Sequence, residues 1–131
     1  SELFTGAVLF PGRTNNDMIR VFQETLGRLP NKTVRAHLRA YHVLEMEPHF
    51  TPDLRYKYAY ADPVNGEAVV RITEVPAAPV HDLTKKITRS KAGSDDVKSV
   101  QSLCQLLGGM LHLDPQKRIS ITDALAHAFF K

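Results

Sequence analysis

The side chains of this sequence that could hold a metal ion or exchange protons include six histidines and fourteen acidic residues. The densest group is Glu45, Glu47 and His49, in the stretch LEMEPHF. No H-x-x-x-H or C-x-x-C spacing supports a metal site, because such spacings are what bring two ligands to one side of an ion. Two glutamates at i and i+2 do not form a catalytic pair without a cleft around them. We therefore expect polar loop residues here and no metal site.

Three further residues could act as a nucleophile or as proton carriers. Cys104 falls on the apolar stripe of a predicted helix, where a thiol is expected to be buried and unreactive. His112 ends the same helix, where an imidazolium would suit the helix dipole, and His127 lies beside the apolar stripe of the last helix. We expect all three to be structural, so the sequence predicts no catalytic and no cofactor-binding residue.

Tyrosines alternate along LRYKYAYA, where Tyr56, Tyr58 and Tyr60 share one face of a predicted strand beside basic residues. Such tyrosines could stack on single-stranded nucleic acid, and the basic run KKITRSK at 85–91 could hold phosphates. The alternative is a hairpin whose aromatic face packs on the molecule, followed by a solvated loop. We favour this alternative and do not expect nucleic acid as a partner, although the basic loop could still bind acidic proteins.

The composition limits the class of protein. With 131 residues, 43% of them hydrophobic and 24% charged, the chain is long enough for one folded domain. The net charge of +3 and pI near 9.1 do not require nucleic acid or an acidic membrane as a partner. No apolar run approaches the ~20 residues of a transmembrane helix, and the first residues do not resemble a signal peptide. The single cysteine, Cys104, rules out an internal disulfide and fits an intracellular, reducing compartment.

The pattern of apolar residues and breakers predicts an α+β fold in which helices predominate. Residues 1–6, SELFTG, are expected to be the end of a helix that Gly6 closes. A helix is predicted over 15–27, with Asn15 or Asn16 as its N-cap and Gly27 as its stop. Helical spacing of Met18, Val21, Phe22 and Leu26 supports it.

The middle of the chain is predicted to contain a short helix, a loop and a β-hairpin. A helix of two turns begins at the cap Asn31, and the irregular stretch at 41–53 is expected to be a loop. Alternating residues on either side of Asn65-Gly66 predict a β-hairpin over 53–75. Residues 76–94 show little periodicity and are expected to be a surface connection.

The last part of the chain, 95–131, is predicted to form two helices joined by the tight link LDPQKRIS. Apolar residues recur at i, i+3 and i+4 for four turns from Asp95. Ser120 and Asp123 have the spacing of a capping box for the last helix. One face of that helix is expected to carry Ile121, Leu125, Ala128 and Phe129. Arg118 stands alone in the link, which suggests a particular acidic partner.

The link belongs to a stretch that resembles a known family. Residues 106–130, LLGGMLHLDPQKRISITDALAHAFF, resemble the pattern L-L-x-x-M-L-x-x-D-P-x-x-R-x-[ST]-x-x-x-A-L-x-H-x-[FW]-F near the end of eukaryotic protein kinases. Residues 2–12, ELFTGAVLFPG, resemble the segment that closes the long central helix of the large lobe in CMGC kinases. The continuation TNND…LGRLPNK and the hairpin are most similar to the pre-mRNA-splicing kinases, with the dual-specificity tyrosine-regulated kinases as near relatives.

The resemblance implies that residues 1–131 are part of a kinase catalytic domain, comprising the last three helices of its large lobe and a β-hairpin insert. In that frame, 1–6 is the end of the central helix, 15–27 is a docking-type helix, and 95–131 holds the final two helices. No G-x-G-x-x-G, V-A-I-K, H-R-D, D-F-G or A-P-E motif occurs in the chain. We therefore expect a fragment of a serine/threonine kinase that is inactive alone. The parent kinase would use ATP and Mg²⁺, and this chain would bind neither.

The resemblance also implies a role for the link. In kinases the Arg that matches Arg118 forms a buried ion pair with the Glu of the A-P-E motif, which would lie outside this chain. The Asp that matches Asp114 helps to fix the turn, together with Pro115. A bidentate pair with a carboxylate explains an Arg in place of a Lys at this position.

The helix at 15–26 corresponds to a frequent docking surface of kinases for substrates and regulators. Arg13, Arg20 and Arg28 surround it, although the helix could equally serve only to complete the lobe. The expected partners are therefore the remainder of the kinase domain and a protein substrate or regulator, with no membrane.

Helix faces meant for the rest of the lobe are expected to expose a large apolar patch and to permit self-association. A nuclear location follows for the parent only from the splicing-kinase resemblance. The alternative to a kinase fragment is an independent binding module, either a pseudokinase-like remnant or a basic scaffold for protein or RNA.

Overall fold

The computed structural model describes residues 2–90, 93 and 96–131, and within them it contains helices and one antiparallel β-hairpin. The α-helices are α1 (Glu2–Thr5), α2 (Asn15–Leu26), α3 (Asn31–Val43), α4 (Leu83–Arg89), α5 (Val97–Met110) and α6 (Ile121–Leu125). The strands are β1 (Tyr56–Ala61) and β2 (Ala68–Thr73), and short 3₁₀ helices cover Pro115–Lys117 and Ala128–Phe130. The predicted α+β class is confirmed.

The hairpin lays its tyrosine face against α2. Tyr58 lies opposite Arg71 and Tyr60 opposite Val69 in the β1–β2 register, so these residues share one face. Tyr56, on the same face, is only 2% exposed. An isolated hairpin of two strands is marginal in water, and this packing stabilises it.

Two groups of buried residues hold the elements together. One group joins α4 to α5 through Leu83, Ile87, Val100 and Cys104. The other joins α3 to the hairpin through Val34, Phe50 and Tyr56. Fully burying side chains of this size stabilises a fold by roughly 1.5–3 kcal/mol each relative to leaving them exposed.

Helix α2 is capped by Thr14, and the prediction of Asn15 or Asn16 as its N-cap is wrong. The Thr14 hydroxyl accepts a hydrogen bond from Asp17 N–H at 3.0 Å. Asn16 is buried, and its side chain instead bonds the hairpin. At the other end Gly27 has φ +92°, which a residue with a Cβ rarely adopts, and it ends the helix as predicted.

Helix α3 is longer than the predicted two turns, and part of the predicted loop at 41–53 is helical. The helix runs from Asn31 to Val43, and Pro30, not Asn31, is its N-cap. Its second half is stabilised by contacts between rings, such as His37 with Tyr41 at 3.9 Å between centroids. The prediction relied on the spacing of aliphatic residues, which does not reveal such contacts.

The segment at 76–94, predicted to be a surface connection, contains α4. Only Leu83 and Ile87 are apolar on this helix of seven residues, which is too few for a clear period. Both are buried against α5, and the Asp82 carboxylate caps the helix through Lys85 N–H at 2.9 Å. Tertiary packing therefore makes this helix stable.

The last helix is interrupted, contrary to the prediction. Helix α6 ends at Leu125, and His127 then caps a separate 3₁₀ helix by accepting from Phe129 N–H at 3.2 Å. The predicted apolar face is not covered, since Ile121 is 82% exposed. The predicted start of the preceding helix at Asp95 lies outside the described residues, as does Ser1; α5 begins at Val97.

Candidate functional site

Of the three arginines that the sequence singles out for docking, only Arg20 lies on α2. Arg13 and Arg20 both contact Asp17, whereas Arg28 follows the helix and lines a separate cavity. Arg20 forms ion pairs with Asp17 at 2.7 Å and with Glu24 at 2.8 Å. Arg13 precedes the helix, and its backbone N–H donates to Asp17 at 3.0 Å. Burial raises the pKa of Asp17, but the bonds from Arg13 and Arg20 outweigh it and hold the pKa below its usual value.

Arg20 also connects α2 to the hairpin. Its guanidinium lies 5.5 Å from the centre of the Tyr58 ring, and the Tyr58 and Tyr60 rings stack at 5.0 Å. On the far side, Arg71 lies 5.8 Å from the Tyr60 ring and donates to its hydroxyl at 3.3 Å. The tyrosine faces are therefore already engaged within the molecule.

Two cavities flank Gln23 on α2. Arg28 lines one, of about 280 Å³, and Arg20 lines the other, of about 390 Å³. Gln23 is 2% exposed, and its Nε2 has no hydrogen-bond partner among the described residues. The two cavities are of the size that small groups of a ligand occupy, and apolar and charged residues line both.

A buried hydrogen-bond network around Asn16 attaches the hairpin to α2. Asn16 Nδ2 donates to the Lys57 carbonyl at 2.8 Å, and Oδ1 accepts from Ala59 N–H at 2.9 Å. The Tyr56 hydroxyl donates to the same side chain at 2.9 Å. The desolvation of Tyr56 raises the pKa of its phenol well above the usual value. Sequence reasoning missed this network, and no spacing signals it because its members lie about 40 residues apart.

Two histidines lie beside the network. The backbone N–H of His49 donates to His37 Nε2 at 3.0 Å. The ring of His49 lies on the other side, with its Nδ1 3.1 Å from Asn16 Nδ2. Because Asn16 Oδ1 already accepts from Ala59, its amide is the donor in this pair. Burial is the main reason that the pKa of each histidine is lowered. The neighbouring His49 lowers the pKa of His37 further, and the charge of Lys57 lowers the pKa of His49 further. Both are therefore neutral acceptors here.

Glu45, Glu47 and His49, which are close in sequence, do not come together in a cluster. Glu47 makes an ion pair with Lys57 and remains exposed. In the part of the chain that the structure describes, no three His, Cys, Asp or Glu side chains lie close enough together to hold a metal ion. His49, by contrast, belongs to the network around Asn16.

The link LDPQKRIS is fixed by its own polar groups. The Asp114 carboxylate accepts from Gln116 N–H at 3.1 Å and lies 3.4 Å from Lys32 Nζ. The bond from Gln116 is the main reason that the pKa of Asp114 lies below its usual value. Pro115 begins the 3₁₀ helix that Asp114 caps. Lys32 thereby ties the start of α3 to this link.

Arg118 is exposed and donates twice to one carbonyl. Its Nε and Nη2 each lie 3.2 Å from the oxygen of His112. Within residues 2–90, 93 and 96–131, no carboxylate forms an ion pair with Arg118. At the end of the link, Ser120 caps α6 by accepting from Asp123 N–H at 3.1 Å, and its hydroxyl donates to the Asp123 carboxylate at 2.6 Å.

Comparison with known proteins identifies relatives along the whole chain. The chain is 31% identical over 130 residues to the serine/threonine-protein kinase prp4 of Schizosaccharomyces pombe. It is 35% identical over 140 aligned residues to the serine/threonine-protein kinase prpf4B of Dictyostelium discoideum. These matches cover 98% and 100% of the chain. The chain is a homologue of serine/threonine-protein kinases.

The kinase homologue spans only part of these relatives, 26% of the length of the first and 16% of the second. No protein-family model matches it. The resemblance to kinases that its two ends predict is nonetheless confirmed, and the similarity extends through the hairpin between them.

The remaining candidate residues of the kinase homologue have structural contacts. Cys104 is buried between α4 and α5, and burial raises the pKa of its thiol, which disfavours the reactive thiolate. His112 Nδ1 accepts from Asp114 N–H at 3.0 Å and helps to shape the link. Among the described residues, no helix is long and apolar enough to cross a membrane.

Proposed function

We propose that the chain is the C-terminal part of the large lobe of a serine/threonine kinase that uses ATP and Mg²⁺. The observation that carries the proposal is the similarity to two such kinases over essentially the whole chain. In this role the chain stabilises the lobe and offers α2 as a docking surface for a substrate or regulator. The parent acts in the nucleus, in pre-mRNA splicing, and the chain alone does no chemistry.

The geometry of Arg118 supports the structural part of the proposal. Its guanidinium is held against the His112 carbonyl on one side and is exposed on the other. A fork of N–H donors in this orientation suits a carboxylate supplied by another part of a kinase domain. Asp114 and Ser120 hold the chain on either side of it, which keeps the direction of the side chain constant.

A chimera tests the proposal. The segment of the Schizosaccharomyces pombe kinase that matches this chain is replaced by residues 1–131, and phosphotransfer to a protein substrate is measured. We expect the chimera to keep at least about a tenth of the activity. The Arg118→Ala chimera should lose activity, and its free energy of unfolding should fall by about 3–5 kcal/mol, the usual cost of removing one partner of a buried ion pair. Arg39→Ala, an exposed arginine on α3, is the matched control and should change neither.

Two results would contradict the proposal. One is a folded chimera without phosphotransfer, and the other is an Arg118→Ala chimera with an unchanged melting temperature. ATP turnover by the isolated chain would overturn the claim that it does no chemistry. A nuclear location and a role in splicing are tested separately, by whether the chimera restores splicing in yeast cells that lack their own kinase.

A further inference from the structure

A groove of about 620 Å³ lies between the loop at 9–11, α2 and α4, apart from the Asn16 network and the link. Its volume falls in the usual range of ligand sites. Part of its lining is apolar and comes from three different segments of the chain. These side chains are Leu9, Pro11, Val21 and Val80.

The charged side chains of the groove are mostly cations. They are Arg20, Lys85, Lys86 and Arg89, against Glu24 and Asp82. Glu24 is already paired with Arg20, and the Asp82 carboxylate caps α4. The charges of Glu24 and Arg20 offset each other, and Asp82 alone stands against the three cations of α4, so the groove keeps a net positive charge.

The three cations of α4, Lys85, Lys86 and Arg89, form what we name the α4 basic cluster. None of them makes an ion pair with an acid in the described part of the chain. Lys86 Nζ reaches the Leu9 carbonyl at 3.4 Å, across the groove. Three like charges within one and a half helical turns repel each other, and an anionic partner would relieve that repulsion.

The α4 basic cluster is held on a fixed support. Ile87, on the opposite side of α4, is completely buried, and Leu83 is 7% exposed. The chain just before α4 is attached to α2, because His81 N–H donates to the Glu24 carbonyl at 2.8 Å. A groove fixed in this way loses little conformational freedom when a ligand binds.

The lining favours a peptide over a nucleic acid as the occupant. Single-stranded nucleic acid is usually bound by Phe, Tyr or Trp side chains on which bases stack, and none of these is among the described residues that line the groove, where the only stacking ring is the His81 imidazole. Aliphatic side chains beside lysines and an arginine suit a chain that carries both apolar and acidic side chains. Carboxylates are the matching group for the two lysines and the arginine.

We propose that this groove binds an extended segment of a partner protein in which Asp or Glu side chains alternate with apolar ones. The carboxylates pair with the α4 basic cluster, and the apolar side chains contact Leu9, Val21 and Val80. Because successive side chains of an extended peptide point to opposite sides, an alternating sequence meets both kinds of lining at once. The inference deepens the docking part of the proposed function by adding a groove and the chemistry of the partner.

The test is a binding measurement with the 131-residue chain. The probe is a short fluorescein-labelled peptide in which Asp and Glu alternate with Leu and Val, followed by fluorescence anisotropy. We expect saturable binding that weakens as salt is added, and at least about tenfold weaker binding to a peptide with Asn and Gln in place of the acids.

The key variant is Lys85→Glu with Arg89→Glu, which reverses two charges one helical turn apart. We expect it to weaken peptide binding about tenfold or more. The matched control is Arg35→Glu with Arg39→Glu on α3, which has the same spacing, the same exposure class and the same change of net charge. It should change binding less than twofold. Circular dichroism checks that both variants fold, and Lys85→Gln with Arg89→Gln replaces the key variant if it does not.

Three outcomes would overturn the proposal: no saturable binding of the acidic peptide, an equal effect of the two double variants, or tighter binding of a single-stranded oligonucleotide that the key variant abolishes. The last would assign the groove to nucleic acid. The result is separable from the kinase proposal, because peptide binding is measured on the 131-residue chain and phosphotransfer on the unsubstituted chimera. Saturable binding of the acidic peptide by the chain, together with a folded chimera that lacks phosphotransfer, would count against the kinase proposal alone.

Discussion

At the scale of single residues, Asn16 attaches the hairpin to α2 through hydrogen bonds of its side chain. It is one of the few buried polar residues described, and both polar atoms of its side chain have two partners. Such a residue is costly to replace, because its side chain is buried and holds two backbone groups of β1 together with the buried Tyr56 hydroxyl. The neighbouring Asn15 is exposed and provides a natural comparison.

Replacing Asn16 with Ala should lower the free energy of unfolding by about 3 kcal/mol or more, since the Lys57 carbonyl, the Ala59 N–H and the His49 ring nitrogen each lose this partner. Asn15→Ala, the matched control, should change it by less than about 0.5 kcal/mol. Unfolding of both variants in urea measures the difference. Equal stabilities of the two variants would show that the network does not hold the hairpin.

The two histidines make the same region sensitive to pH. The pKa values of His37 and His49 are lowered in the folded state. At any pH between those lowered values and the ordinary value of about 6.5, the unfolded chain therefore binds more protons than the folded chain. Their contribution to stability is therefore present above about pH 6.5 and is lost as the pH falls through the lowered pKa values. The groups facing them are Asn16 on α2, Tyr41 on α3 and Lys57 on β1, and none of these offers a carboxylate to an imidazolium.

We therefore expect the free energy of unfolding to decrease between pH 7.5 and pH 5, measured by urea unfolding at each pH. His37→Gln should flatten this dependence, because its amide oxygen accepts from His49 N–H but does not titrate. His42→Gln, at an exposed position on the same helix, should leave the dependence unchanged. A stability that rises on acidification would refute the assignment of both histidines as neutral acceptors.

At the scale of elements, α5 contains two adjacent glycines whose surroundings differ. A Cβ on Gly108 would meet no atom within 4 Å, whereas a Cβ on Gly109 would lie 3.4 Å from the Ile119 side chain. Neither has a positive φ that would demand glycine. The close approach of the Ile119 side chain explains why a glycine is suited to position 109. No contact in the structure explains the glycine at position 108.

Gly108→Ala should therefore stabilise the chain by about 1 kcal/mol, since alanine loses less backbone entropy in a helix. Gly109→Ala is the matched control, and we expect a smaller gain or a loss because Ile119 must move aside. Thermal unfolding of the two variants provides the comparison. A destabilising Gly108→Ala would indicate that this turn of α5 is not an ordinary helix.

At the scale of the whole molecule, large apolar side chains remain exposed at its ends. Leu3 on α1 is fully exposed, and Ile121 and Leu125, one turn apart on α6, are 82% and 69% exposed. Single exposed apolar residues are common, but pairs on one helix face indicate a surface that another protein segment covers. This is the arrangement that the proposed role within a larger lobe requires.

We expect the isolated chain to bind a hydrophobic dye and to associate as its concentration rises, as analytical ultracentrifugation would show. Changing Ile121 and Leu125 to Lys should weaken both effects by at least about twofold without unfolding the chain. Val64→Lys, at a 93% exposed position in the hairpin loop, is the control and should alter neither. A monodisperse chain that melts cooperatively and binds no dye would favour an independent module.

The sequence by itself determined the elements that depend on local chemistry and the family. These elements depend on signals that involve only neighbouring residues, so they can be recognised in the sequence alone. The signals are Thr5-Gly6, the run from Asn15 to Gly27, the alternating tyrosines and the Ser120–Asp123 spacing. The kinase resemblance was legible for a similar reason, since many positions agree in register at the two ends of the chain.

Only the tertiary structure decided where distant residues meet. Asn16 has the type of an N-cap, but its burial against the hairpin gives it another role, and Thr14 takes over the cap. Helix α4 has too few apolar residues to show a helical period in the sequence. Packing on α5 nonetheless stabilises it as a helix and places its three cations along one groove. The physical reason is the same in both cases: burial and long-range hydrogen bonds outweigh local preferences of about 1 kcal/mol.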